Sequence, residues 1–186
     1  MIPVDVPPSL RDYFESSPVA LSLGAAEGDH PLLVTNQRFR DLTGYATTDI
    51  AGRNCRFLQG NSDNREARAR IRAFLRDDAQ PSVRTAIVNF RKDGKPFVNL
   101  LYLSKLRSLD GALRYFFASQ FDVSRTQPER LADYDAALGQ TIARLAPVVA
   151  DSGIAVEGTL ITIANTAATI AQAKMTLADL DTGGFL

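Results

Sequence analysis

The stretch VRTAIVNFRKDGKPFVNLLYLSKLRSLDGALRYFFASQFDV, residues 83–123, decides the fold. It holds three extended runs, 83–91, 97–107 and 113–123, rich in β-branched and aromatic residues. Asp93-Gly94 and Asp110-Gly111 separate them. An Asp-Gly pair supplies the positive backbone angles of a tight hairpin, so the stretch predicts a three-stranded antiparallel meander. On its N-terminal side, residues 64–76 predict an amphipathic helix with Ala67, Ile71, Phe74 and Leu75 on one face and arginines on the other. Before it come a compact segment (53–60), a turn closed by Gly52, and a helical run (36–42) ended by Gly44-Tyr45. Two short apolar runs, 19–23 and 31–35, flank Gly24, Gly28 and Asp29 and read as a strand pair. Residues 1–18 read as a proline-rich arm with a short helix capped by Ser9 and stopped by Pro18. The order is therefore two strands, several helices and three strands, an α+β pattern.

Residues 125–186 differ in character. They are rich in Ala, Leu, Ile and Thr, with few turn residues before Asp151-Ser152-Gly153. Leu131, Tyr134, Leu138 and Leu145 make one helical stripe, which Pro147 should end or kink. Leu160, Ile163, Ala167, Ile170 and Leu177 make another. The tail therefore predicts a helical hairpin joined near Gly153. Such stripes can pack back on the sheet; because there are two, a coiled-coil-like or bundle contact in a homodimer is the preferred expectation.

The 186 residues carry 21 Lys and Arg against 21 Asp and Glu, so the overall charge points to no polyanionic partner. Residues 1–130 hold 19 basic and 15 acidic residues; beyond them only Arg144 and Lys174 face six acids. That split argues against direct nucleic-acid binding by the tail. No apolar run reaches the roughly 20 residues of a membrane helix. The start of the chain lacks a secretory pattern. With one cysteine there is no internal disulfide, and a reducing, cytoplasmic setting is expected. Cys55 and a single histidine, His30, exclude ordinary Cys/His zinc sites, so no metal is expected.

Cys55 sits between Asn54 and Arg56, with Gly52 and Gly60 nearby. A lone cysteine is most often a small buried hydrophobe, although an adjacent cation marks reactive thiols. Arg53, Arg56, Arg65, Arg68, Arg70, Arg72 and Arg76 form a dense cluster. It reads either as a solvated helix face or as a phosphate site. Asn89, Asn99 and Gln120 are amides in apolar strands. If inward, each needs a hydrogen-bond partner, and together they would suit a flat heterocycle.

The run Gly52-Arg53-Asn54-Cys55-Arg56-Phe57-Leu58-Gln59-Gly60 resembles the signature of LOV domains, the flavin-binding blue-light sensors of the PAS superfamily. The resemblance continues in Phe39-Arg40-Asp41-Leu42-Thr43-Gly44-Tyr45, Ile71-Arg72, Asn89-Phe90-Arg91-Lys92-Asp93-Gly94, Phe97-Val98-Asn99-Leu100-Leu101, Phe116 and Gln120. It covers about residues 19–124 and implies a PAS-like five-stranded antiparallel sheet with flanking helices, an FMN cofactor and a reversible adduct between Cys55 and flavin C4a on illumination. By the same resemblance Arg56 and Arg72 would hold the phosphate, and Asn54 and Gln59 the ribityl chain or ring edge. Asn89 and Asn99 would pair with the pyrimidine side, and Gln120 would sit near O4 and N5. Leu58, Ile71, Leu101 and Phe116 would pack the ring.

Three departures stand out: Leu23-Gly24 for a common Thr-Asp, Val98 for a common Trp, and Ala118-Ser119 for a common Gly-Val. The tail has no histidine and no glycine-rich phosphate loop, so no kinase and no enzyme activity is expected within it. The chain looks like the short bacterial LOV proteins with a helical C-terminal extension, acting as photoreceptors on themselves or on a downstream partner. A light-independent flavin-binding redox protein is the alternative expectation.

Overall fold

The structure, a computed structural model, describes residues 5–125, 128–150, 152–156, 170, 173–178 and 180. The elements in order are α1 (Pro8–Ser16), β1 (Ala20–Ala25), β2 (Leu32–Thr35), α2 (Gln37–Thr43) and α3 (Thr47–Ile50). A 3-10 turn (Cys55–Gln59) follows, then α4 (Arg65–Arg76), β3 (Ser82–Phe90), β4 (Pro96–Ser108), β5 (Leu113–Asp122), α5 (Pro128–Ala150) and β6 (Ile154–Val156). The strands run β2-β1-β5-β4-β3, all neighbours antiparallel. This is the expected α+β sheet with flanking helices. Gly94 and Gly111 take left-handed φ angles of 84° and 87°, as the two Asp-Gly turns require.

Three local details differ from the sequence expectation. Ser9 does not cap α1: Pro7 is the N-cap and Pro8 opens the helix, where its missing N–H costs nothing. Pro147 does not end α5, which continues to Ala150. The tail is not a simple hairpin at Gly153. The chain turns there into β6, which pairs with β4 through Leu106↔Val156 and Ser108↔Ile154. β4 outlasts β3 by several residues, and β6 covers that open edge, which would otherwise expose unpaired backbone groups. Of the second stripe, Leu160, Ile163 and Ala167 lie outside the described residues, whereas Ile170 and Leu177 are half-buried against the main core.

Asn36 ties the N-terminal elements together. Its Oδ1 accepts from Phe39 N at 3.0 Å, capping α2, and from Leu21 N at 2.9 Å. Its Nδ2 donates to Phe14 O and Val19 O. The main core lies on one face of the sheet. Leu21, Leu23, Val98, Leu100, Tyr102 and Phe117 from the strands meet Leu10 and Phe14 of α1 and Tyr134, Leu138, Leu145 and Val149 of α5. The first tail stripe is therefore packed on the protein's own sheet and is not free for a dimer. Opposite this face, a smaller cluster of Ala20, Leu32, Phe39, Ile50 and Leu58 anchors α2, α3 and the turn.

Candidate functional site

Strand alternation sends every second residue to the face opposite the core. On β4 these are Asn99, Leu101 and Leu103, on β5 Phe116, Ala118 and Gln120, on β3 Ile87 and Asn89, and on β1 Ser22 and Gly24. With Ile71 and Leu75 of α4 and Asn54, Cys55, Arg56 and Gln59 of the 3-10 turn, they enclose one pocket. The turn is held by Asn54, whose Oδ1 accepts from Arg56 N at 2.9 Å and whose Nδ2 donates to Asp29 O at 2.6 Å. Gly60 ends it with φ 53°, and a Cβ there would stand 2.6 Å from the Phe90 ring. Only glycine lets the turn close this tightly on β3.

The polar wall is built from the three amides. Asn99 Nδ2 donates to Asn89 Oδ1 at 2.9 Å, and Asn89 Nδ2 donates to Val88 O at 3.2 Å. Asn99 Oδ1 accepts from Phe121 N at 3.2 Å. Gln120 Nε2 donates to Ser22 Oγ at 3.1 Å, whereas Gln120 Oε1 is buried with no hydrogen-bond partner. A buried, unpaired amide oxygen is costly, and this one belongs to a residue that lines the pocket. Aliphatic side chains on the remaining walls suit the faces of a flat ring. The residues present therefore fit a flavin: apolar walls for its faces, amides for its heteroatom edge, and a thiol beside it.

Cys55 is half-buried, and its apolar surroundings push the thiol pKa up to about 12. Burial disfavours the thiolate, so the group is a neutral thiol at physiological pH, not a resting nucleophile.

Most of the expected site residues gather here: Asn54, Cys55, Arg56, Gln59, Ile71, Asn89, Asn99, Leu101, Phe116 and Gln120 all line the pocket. Two do not. Leu58 is buried in the smaller cluster and is not among the residues lining the cavity. Arg72 lies exposed on α4, one residue past Ile71. Asn54 spends its amide oxygen on the turn and its Nδ2 on Asp29 O between β1 and β2. Arg56 pairs with Asp29 at the exposed rim, and Gln59 Oε1 accepts from Arg68 Nε at 2.8 Å. Much of the arginine cluster is a solvated surface, with Arg65 paired to Asp63 and Arg70 to Glu66.

Sequence reading missed Ser22, Gly24, His30, Leu32, Leu75, Ile87, Leu103 and Ala118. Leu103 and Ala118 follow from alternation once Asn99 and Gln120 face inward. His30 had no such signal. It reaches the pocket because its backbone turns left-handed (φ 52°), and its ring meets Phe116 edge-on at 5.0 Å. Among the described residues, no cluster of His, Cys, Asp and Glu could hold a metal ion, and no helix is long and apolar enough to cross a membrane.

Comparison with known proteins agrees with this geometry. The family model described as PAS domain matches residues 20–125. Blue-light-activated histidine kinase 1 of Erythrobacter litoralis is 41% identical over 102 residues, which is 55% of this chain but only 28% of the kinase. The chain thus spans little more than a quarter of that relative. Among solved structures, the Rhodobacter sphaeroides LOV protein superposes with a TM-score of 0.68 at 29% identity, covering 95% of this chain and 97% of that one. The RsLOV d2 variant gives a TM-score of 0.69 at 30% identity over 94% of this chain and 93% of that one.

Proposed function

The chain belongs to the PAS domain family and, within it, to the LOV proteins; from that premise we propose that it is a blue-light photoreceptor holding FMN in the amide-lined pocket. FMN, when bound, supplies blue-light absorption and a ring carbon able to accept a sulfur. Cys55 would supply that sulfur: under light its S–H proton would pass to the adjacent ring nitrogen as the carbon–sulfur bond forms, and in darkness the bond would break with the proton returned to the thiol. Its raised pKa means that light, and not a standing thiolate, provides the reactivity. Asn89 and Asn99 hold the pyrimidine edge. Gln120 donates or accepts at the neighbouring edge, because an amide carries both functions and can rotate between them. Arg56 exchanges Asp29 for the phosphate at the rim, with Arg72 of α4 as the second cation.

The observation that carries the reading is the buried, unpartnered Oε1 of Gln120 on a wall shared with Cys55 and two further amides. The test is spectroscopic. Purified protein should carry a flavin, identified as FMN on release, whose blue absorption bleaches under blue light and recovers in darkness. A bound flavin that never bleaches would instead identify a light-independent redox protein.

For output, the reading adds a homodimer formed through the C-terminal segment, where Met175 (64% exposed) and Leu180 (37% exposed) present apolar surface. Light scattering in dark and light should give a dimer mass in at least one state; a monomer in both removes this part. A downstream protein would then read the change in a cytoplasmic setting.

A further inference from the structure

The row of the sheet behind Gln120 carries an unusual polar contact to α5. Arg84, Tyr102, Ser119 and Leu21 are neighbours across β3, β4, β5 and β1 on the core face. Tyr134 of α5 sits on this row. Its hydroxyl is hydrogen-bonded to Ser119 Oγ, and its ring stacks on Phe121 at 4.1 Å with the planes 7° apart. Arg84, buried on β3, pairs with Asp135 and stands 6.0 Å from the Tyr134 ring centre. Ser119 and Phe121 are the two chain neighbours of Gln120. Tyr134 thus grips β5 on both sides of the residue that faces the pocket. The other tyrosine anchor of α5, Tyr13 of α1 to Thr141 O, is remote from Gln120 in sequence and on another element.

We infer that Tyr134 is the positioning residue through which a change at Gln120 reaches α5. The inference rests on the flavin reading above. Rotating the Gln120 amide breaks its bond to Ser22 and re-aims the side chain. Packed interfaces answer such shifts by switching between discrete arrangements rather than by bending. Ser119 and Phe121 are displaced with the strand, and the Tyr134 contact converts that displacement into loosening of α5. Ser119 is one of the departures from the LOV pattern, so the clasp belongs to this chain's own residues. Burial among apolar groups raises the Tyr134 pKa, so its hydroxyl stays protonated and able to donate.

The experiment is hydrogen exchange over residues 128–150 in dark and under blue light, with bleaching recorded on the same sample. In the wild-type protein, light should raise exchange in this helix about tenfold. Tyr134→Phe should bleach and recover normally while the light–dark difference disappears. Tyr13→Phe should keep the difference. Ser119→Ala, which removes the same hydrogen bond without touching the helix, should behave as Tyr134→Phe and covers the case in which that variant misfolds. A normal light–dark difference in both Tyr134→Phe and Ser119→Ala overturns the inference. Equal loss in Tyr13→Phe overturns it too, because α5 would then need only general anchoring. Bleaching without any exchange change in wild type overturns the inference but leaves the flavin reading standing. Absence of bleaching in wild type overturns both.

Discussion

The two faces of the sheet are built from alternate residues of the same strands, yet they follow opposite rules. The core face is closed. Phe117 is fully buried, edge-on to Phe14 at 5.8 Å and to Tyr102 at 6.4 Å, and α1 and α5 cover it. The pocket face is lined by buried amides and a thiol, and leaves Gln120 Oε1 unpaired. Stability comes from the first face. The second carries polar groups that burial alone would penalise, which is the usual mark of a binding site. Gln120 and Ser119, adjacent in sequence, belong one to each face, so β5 is where the two meet.

The comparison breaks most readily at Phe117. Phe117→Ala should cost about 3–5 kcal/mol, the range for emptying a fully buried aromatic site, measured by denaturant unfolding. A loss no larger than that of a surface substitution would mean that the core face is not the stabilising one.

Cys55 gives a smaller, pH-dependent effect. Burial pushes its folded pKa up to about 12, well above that of an ordinary thiol, so the folded state holds the proton more tightly. The contribution is therefore fully present below about pH 9 and is lost as pH rises toward 12. Between pH 9 and 10 the wild type should lose up to about 1 kcal/mol more stability than Cys55→Ala. Identical pH profiles would show that the thiol is not shielded.

Gln120→Leu should have the smallest effect on the flavin-free protein, within about 1 kcal/mol, since it removes an unpaired buried oxygen as well as the bond to Ser22. It should nevertheless abolish the light-dependent exchange of α5. A stability loss comparable to that of Phe117→Ala would place Gln120 with the core.

Much of this was legible from sequence because it is local. The Asp-Gly turns, the alternation of residues 83–123 and the amphipathic α4 all follow from spacing. The order of residues around Cys55 located the pocket. What was illegible depended on partners distant in sequence. β6 forms because β4 has an uncovered edge, which no property of residues 154–156 announces. The first tail stripe was expected to form a dimer seam in preference to a lid on the sheet, and only the packing of Leu138 and Leu145 into the core decides for the lid. Leu58 looked like a ring contact by position, but it is buried in the smaller cluster and does not line the pocket. His30 reaches the pocket through a backbone angle uncommon for a residue with a Cβ.

The central claim is that Cys55 captures the light. Its most direct test is the blue absorption of Cys55→Ala during illumination and subsequent darkness. The account predicts that this variant retains flavin and its dark spectrum but loses the reversible bleaching seen in the wild type. If Cys55→Ala bleaches and recovers to the same product as wild type, the assignment of Cys55 is wrong.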